Sequence, residues 1–561
     1  YGAKVELFPG VEEWFERIRE YGKNHGVIVE HYIISSGLKE MIEGTNIDHL
    51  VLNVGNVTGN IIEPIYQDGT VVDSAQTGAL RLKEDVTITE EGSLHVGTSD
   101  ARVSDSYALR FRANNKILSL SGDISLYSNT TAYGVDFGTN SGKLILGNKA
   151  LKITANGTGV AYGLVLKDLE FEKEGSDSHL TITATGSSAY GIYNTNNISE
   201  EFNWDVTASG TSAAYALHGE ALNFTKGFSG KLKSSTSTVS GGTSHAMSGT
   251  SLTVAEDMTG SLTATGYGVV RGVSVTGNLT IGKDFSTEIS TTANYYYYYT
   301  YAYGSTHSVG CMRGISGAVL SVGGNFSGSI NTTNNAYYTA DTYGVIAETA
   351  FYVEKDFSST IITTSSSTNF SYNNEGGSYH YARIAGIYTP LLSVKGNFSG
   401  NVTASATTNG SNSQMSVYGI YAATGTVEGD FSGTVTASSN ANYNSSSATK
   451  SVYGIYSGTT FDIKGDVTED AAFKATGTNY ANATAIYAKK MTVDGDFAGD
   501  VEVSTTYGTA YGLNGSITVN GDFTGDIKVS TTSGTAYGTG GALFQANSFS
   551  GNISVYRHNS R

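Results

Sequence analysis

The sequence predicts a mainly β protein, a right-handed parallel β-helix (solenoid) of roughly 16 coils with three short strands per coil, behind a small α/β N-terminal fragment. Three observations carry this. From about residue 107 the chain is self-similar, with a minimum period of about 25 residues. Pro occurs only 3 times in 561 residues while Gly supplies 70, and a stack in which each coil donates backbone N–H groups to the next has no place for Pro. Trp occurs only at positions 14 and 204, without the Trp signature or the ~40–45-residue period of a propeller blade.

Residues 1–48 are of a different kind. Of these, 14 are charged, against 69 of the remaining 513. Val11, Trp14, Phe15 and Ile18 fall at i, i+3, i+4 and i+7, which predicts an amphipathic helix ending by Gly22 or Gly26. Residues 26–34 read as a buried strand, and residues 38–43 as the start of another helix. The chain opens on Tyr1 with no basic and apolar leader, so a fragment or processed product is expected.

Phe8-Pro9-Gly10-Val11, the helix, and Tyr32-Ile33-Ile34-Ser35-Ser36-Gly37-Leu38 together resemble the middle of a haloacid-dehalogenase-type phosphatase. The resemblance covers fewer than 50 residues. It implies that Ser35 is the residue that hydrogen-bonds a phosphoryl oxygen. That chemistry also needs an aspartate nucleophile in a D-x-D segment, a Lys and an acidic pair for magnesium, none of which this segment supplies. Asp494-Gly495-Asp496 is a D-x-D, but its counterparts read Glu428-Gly429-Asp430, Lys464-Gly465-Asp466 and Asn520-Gly521-Asp522, so it belongs to a repeat turn. Residues 1–48 are therefore expected to be an incomplete, inactive fragment.

Residues 49–106 are expected to form β-rich capping coils, and 107–561 the repeat itself. One column of equivalent positions runs Tyr107, Tyr133, Tyr162, Tyr190, Tyr215, Met247, Arg271, Arg313, Tyr343, Ala385, Tyr418, Tyr453, Thr484, Tyr511 and Tyr537. The next position is Gly, Ala or Ser throughout, from Ala108 to Gly538, which marks a close approach of backbone or side chains. A second column, 11 to 14 residues further on, is Phe or apolar: Phe228, Met258, Phe285, Phe326, Phe357, Phe398, Phe431, Val467, Phe497, Phe523 and Phe549. Stacked ~4.8 Å apart, such positions make internal ladders. Asp or Asn precedes most of them, as at Asp356, Asn397 and Asp430. Stacked carboxylates invite a calcium reading, but Gly-Asp and Gly-Asn are ordinary turn dipeptides whose side chains cap their own backbone.

Composition removes several function classes. With Lys plus Arg at 33, Asp plus Glu at 50 and a net charge of −17, nucleic acid is not an expected partner. The single cysteine, Cys311, excludes a disulfide framework and a multi-Cys metal site, and is expected in the core. No apolar run reaches the ~18 residues of a spanning helix, so no transmembrane segment is expected. No cofactor and no metal ligand set is expected either. The histidines at 218, 245, 307 and 380 share no register, and Arg271 and Arg313 read as local variation.

The long intervals arise from insertions that all occupy the slot before the Tyr-Gly-Ile strand, so they should line one edge of the rod. They are rich in Tyr, Asn and Ser, a composition that gives contact area and adaptable hydrogen bonding, and their aromatics can stack on sugar faces. The candidate binding edge comprises Tyr295, Tyr297, Tyr299, Tyr301, Tyr337, Tyr338, Tyr372, Tyr379, Tyr381 and Tyr443. The Asp-Phe-Ser-Gly and Tyr-Gly-Ile copies resemble the passenger regions of secreted autotransporter-type bacterial surface proteins, over most of residues 50–561. That resemblance implies an extracellular or bacterial cell-surface stalk or adhesin, a monomeric rod whose partner is a glycan or a host or cell-surface protein. No catalytic residue stands out. The alternatives are a polysaccharide-active β-helix enzyme (lyase or hydrolase), or a phosphatase remnant fused to a structural repeat.

Overall fold

The computed structural model describes residues 93–104, 106–239, 242–294, 311–335, 341–367, 381–408, 414–441 and 450–557, the short pieces 65–67, 70–73, 80–82 and 85–88, and Arg17 and Tyr21. The chain divides into two units, Tyr1–Gly55 and Asn56–Arg561. In the first, Arg17 and Tyr21 are helical and exposed, within the span where the apolar spacing predicts a helix. Ser35 lies outside the described residues.

The second unit is a parallel β-solenoid of about 14 turns. That is fewer than the roughly 16 expected, since insertions lengthen a turn without adding one. Each strand pairs in parallel with its equivalent one turn on: Asn401–Thr408 lies between Thr360–Ser367 and Thr434–Ala441. Among the described residues, only Ile65–Gln67 and Thr70–Asp73 pair antiparallel. In the later turns the first two short strands run on as one, as in Gln414–Val427, with a register irregularity between Tyr421 and Thr424. Among the described residues no helix is long and apolar enough to cross a membrane.

Period-2 alternation makes the core. Lys231–Thr236 alternates exposed or half-buried positions with buried ones, so Leu232, Ser234 and Thr236 point inward. The aromatic column gains one member at its start and ends in an exposed one: Phe549, paired with Phe523, is 42% exposed, while Phe202, Phe228, Met258, Phe285, Phe326, Phe357, Phe398, Phe431, Val467, Phe497 and Phe523 bridge in sequence. The bridged residues are all 1% exposed or less. Phe357, Phe398 and Phe431 stack with ring centroids 4.4 and 4.6 Å apart. The Gly of the Asp-Phe-Ser-Gly turn makes room for this stack, because a Cβ at Gly433 would lie 2.9 Å from Cδ1 of Phe398 in the preceding turn.

The small-residue column faces inward. A Cβ at Gly386 would come within 2.7 Å of the Gly419 carbonyl oxygen, and one at Gly419 within 2.6 Å of the Gly454 carbonyl oxygen. On the other side these positions meet the β-branched residue of the third strand, Val402 at Gly386 and Val435 at Gly419. The register corrects one member of the tyrosine column. His245, not Met247, stands between Tyr215 and Arg271, and Met247 sits inside between Leu217 and Val273. The insertion before this strand had hidden a two-residue offset that the strand register decides.

The Asp/Asn ladder also differs from expectation. Each Oδ1 accepts a hydrogen bond from the backbone N–H of the next turn rather than its own: Asn397 N to Asp356 at 2.8 Å, Asp430 N to Asn397 at 2.8 Å, Asp466 N to Asp430 at 2.8 Å. At Gly429 and Gly465 a Cβ would run into that oxygen, whereas Lys355 fills the position before Asp356, where the bond lengthens to 3.2 Å. Asp496 keeps the same role, accepting from Asp522 N at 2.7 Å, while Asp494 pairs with Lys464 at 3.3 Å. The D-x-D is thus a turn of the ladder.

Candidate binding face

The first strand of each turn presents two outward columns. In Tyr418-Gly419-Ile420-Tyr421 both central residues are buried, and the flanking tyrosines pack on each other at 5.2 Å, Tyr418 8% exposed and Tyr421 half-buried. One column holds Tyr107, Tyr133, Tyr162, Tyr190 and Tyr215, stacked at 4.6, 4.7, 5.0 and 5.1 Å. The other holds Tyr388, Tyr421, Tyr456 and Tyr487, stacked at 4.3, 5.2 and 4.9 Å with interplanar angles of 8–15°. Tyr418 and Tyr453 stand beside the second ladder, edge-on to Tyr421 and Tyr456. The second column escaped the sequence reading, although Tyr-Gly-Ile-Tyr recurs at 190–193, 418–421 and 453–456.

Stacking decides what this face offers. The inner rings of each ladder cover one another's faces, so a sugar cannot lie flat on them and would meet the ladder at its partly exposed ring edges. Tyr388, Tyr421, Tyr456 and Tyr487 are all half-buried. Burial raises the Tyr133 hydroxyl to about 12, with Tyr107 adding to it, and burial likewise pushes up Tyr162, Tyr343 and Tyr388. These phenols stay protonated at neutral pH and remain donors. Tyr343 donates to Asp341 Oδ2 at 3.1 Å, and the Arg383 guanidinium lies 5.7 Å from the centre of the Tyr388 ring.

Of the predicted edge residues, Tyr295, Tyr297, Tyr299, Tyr301, Tyr337, Tyr338, Tyr372, Tyr379 and Tyr443 lie outside the described residues, and of Tyr381 only the backbone is described, as the first residue of the strand Tyr381–Val394. The flanks of the insertions are described. Each leaves the end of a third strand (Ala293, Asn334, Ser367, Thr408, Ala441) and returns near the start of a first strand (Met312, Thr342, Tyr381, Gln414, Lys450). They therefore open on one seam, beside the tyrosine columns.

A shallow groove of about 560 Å³ runs along the turn ladder, lined by Asn325, Asp356, Asn397, Asp430 and the serines two residues on. Its carboxylates are engaged by backbone N–H groups, and no group of three His, Cys, Asp or Glu side chains among the described residues is placed to hold a metal. Cys311 is half-buried rather than in the core. His218 and His245 do share a neighbourhood: they occupy adjacent outward columns on successive turns, both against the Tyr215 ring.

His245 is 8% exposed, with neither ring nitrogen partnered. Burial depresses its pKa to about 3, helped by Arg271, His218 and Arg313. A depressed histidine pKa gives stability that is complete above the unfolded value near ~6.5 and is lost as pH falls toward the folded one. Each pH unit across that window costs about 1.4 kcal/mol. His218, also lowered by burial, titrates in the same direction. His245→Phe is expected to reduce the slope of the urea midpoint against pH between about 6 and 4; an unchanged slope would clear His245 of the acid sensitivity.

Compared with family models, curated proteins and solved structures, the chain matches none.

Proposed function

We propose that this solenoid is an extracellular or bacterial surface-displayed stalk that acts by binding, holding an extended glycan along its tyrosine face. One observation carries the reading: over four consecutive turns the half-buried Tyr388, Tyr421, Tyr456 and Tyr487 stack ring on ring, at 4.3–5.2 Å between centroids. One sugar unit of an extended polysaccharide has a similar length, so successive sugars meet equivalent donors. Rigid tyrosines give contact area at low entropy cost. The resemblance of the repeat to autotransporter passengers supports the surface location.

The test keeps the stack and removes the hydroxyls. Tyr388→Phe/Tyr421→Phe/Tyr456→Phe is expected to weaken retention on the polysaccharide that binds best by roughly tenfold, with an unchanged far-UV CD spectrum. Removal of residues 295–310 and 368–380, between the strands that end at Ala293 and Ser367 and those that begin at Met312 and Tyr381, probes the insertions in the same assay. Should no polysaccharide be retained above a blank support, the glycan reading falls; soluble products would favour the lyase or hydrolase alternative.

A further inference from the structure

The outer tyrosine face is interrupted over three consecutive turns. Tyr215 pairs in register with His245, His245 with Arg271, Arg271 with Arg313, and Arg313 with Tyr343. The neighbouring column changes at the same turns. Tyr193 and His218 give way to Ser248, Ser274 and Ser316, before Ile346 and Tyr388 follow. All three serines are 7% exposed or less. Rings are thus replaced by two long cations over a floor of short hydroxyls, between two aromatic walls.

Among the described residues only one of the two cations in this notch has a carboxylate beside it. Two guanidiniums stand on adjacent strands ~4.8 Å apart, an arrangement that repels. Arg271 Nη1 donates to Ser274 Oγ at 2.9 Å. The acidic group near them among the described residues is the exposed Glu348, with Oε1 3.9 Å from Arg313 Nη1. Among the described residues the buried Nε atoms of Arg271 and Arg313 have no partner, nor do the two ring nitrogens of His245. Buried donors normally have acceptors. A guanidinium with its Nε edge unsatisfied is a fork shaped for two oxygens of one oxyanion.

We infer that Arg271 and Arg313, backed by His245, form a binding site for an oxyanion, a carboxylate or sulfate group carried by the glycan on the tyrosine face. The glycan part rests on the function proposed above; the anion part rests on the notch alone. The net charge of −17 repels acidic polymers elsewhere, so their retention would report this local pair of cations.

The experiment uses the full chain with free sodium galacturonate and sodium sulfate in calorimetry, and immobilised polygalacturonate, dextran sulfate and neutral dextran for retention. Galacturonate against sulfate distinguishes the two sources of the oxyanion. Arg271→Gln/Arg313→Gln is expected to weaken binding of the preferred acidic probe by about tenfold or more and to leave dextran unaffected. Arg271→Lys/Arg313→Lys, which keeps the charge and loses the fork, should fall between, and covers the case in which the Gln variant fails to fold. Equal binding of acidic probes by wild type and the Gln variant, with dextran retained, overturns the anion site and leaves the glycan reading standing. Free-anion binding that the Gln variant loses, without retention of any polymer, supports the site and overturns the glycan reading. A wild type that binds no free anion and no acidic polymer overturns the site.

Discussion

Phe398→Ala is expected to cost about 3–5 kcal/mol, the range for emptying a buried aromatic site. Phe398 is completely buried, with Phe357 at 4.4 Å on one side and Phe431 at 4.6 Å on the other, so its removal strips a ring from both neighbours. A solenoid is held by contacts between adjacent turns, so the loss should stay local and split the unfolding transition rather than lower it uniformly. Urea unfolding, with hydrogen exchange at strands 360–367 and 434–441, would show early opening on both sides of residue 398. Phe398→Met supplies the control, since Met258 already occupies an equivalent rung; it should cost less than about 1.5 kcal/mol. Were Phe398→Ala to unfold at the wild-type urea concentration, the aromatic stack would not be what couples the turns.

Gly419→Val should be as damaging for the opposite reason, because the site has no room. Its Cβ would meet the Gly454 carbonyl oxygen at 2.6 Å and Val435 Cγ1 still closer. The side chain can be trimmed, but the carbonyl belongs to the strand 450–463 one turn on, in register with Gln414–Val427. Relief therefore means shifting a paired strand, and a loss of 3 kcal/mol or more is expected, at the upper end of overpacking costs of about 1–3 kcal/mol. Gly419→Ala/Val435→Ala removes the side-chain half of the clash and leaves the carbonyl half. It should unfold between Gly419→Val and wild type in a thermal melt. A Gly419→Val melt that overlays the wild type would show that the turns are not packed this closely.

Much of this was legible in the sequence because a stack repeats one local solution. Fourteen of the fifteen members of the tyrosine column stand in register as read, and every member of the aromatic column does. The exception, Met247 for His245, falls where both residues are buried and lie near the expected position, so that only the pairing register separates them. The candidate site was less legible. Ladder tyrosines and loop tyrosines look alike in composition, and the expectation centred on the insertions passed over Tyr388, Tyr421, Tyr456 and Tyr487. Arg271 and Arg313 read as drift because a column records which residues share a position, not whether their donors find acceptors.

The sequence by itself determined the period, the rungs of the core and the glycines that let them close, because stacking at one fixed spacing sets equivalent residues directly over one another. Tertiary structure decided what each rung touches. It turned the Asp/Asn caps toward the next turn's N–H groups, closed the tyrosine faces against one another, and set two guanidiniums on adjacent strands with, among the described residues, a carboxylate beside only one of them. Each of these depends on contact between neighbouring turns, which a single repeat does not encode.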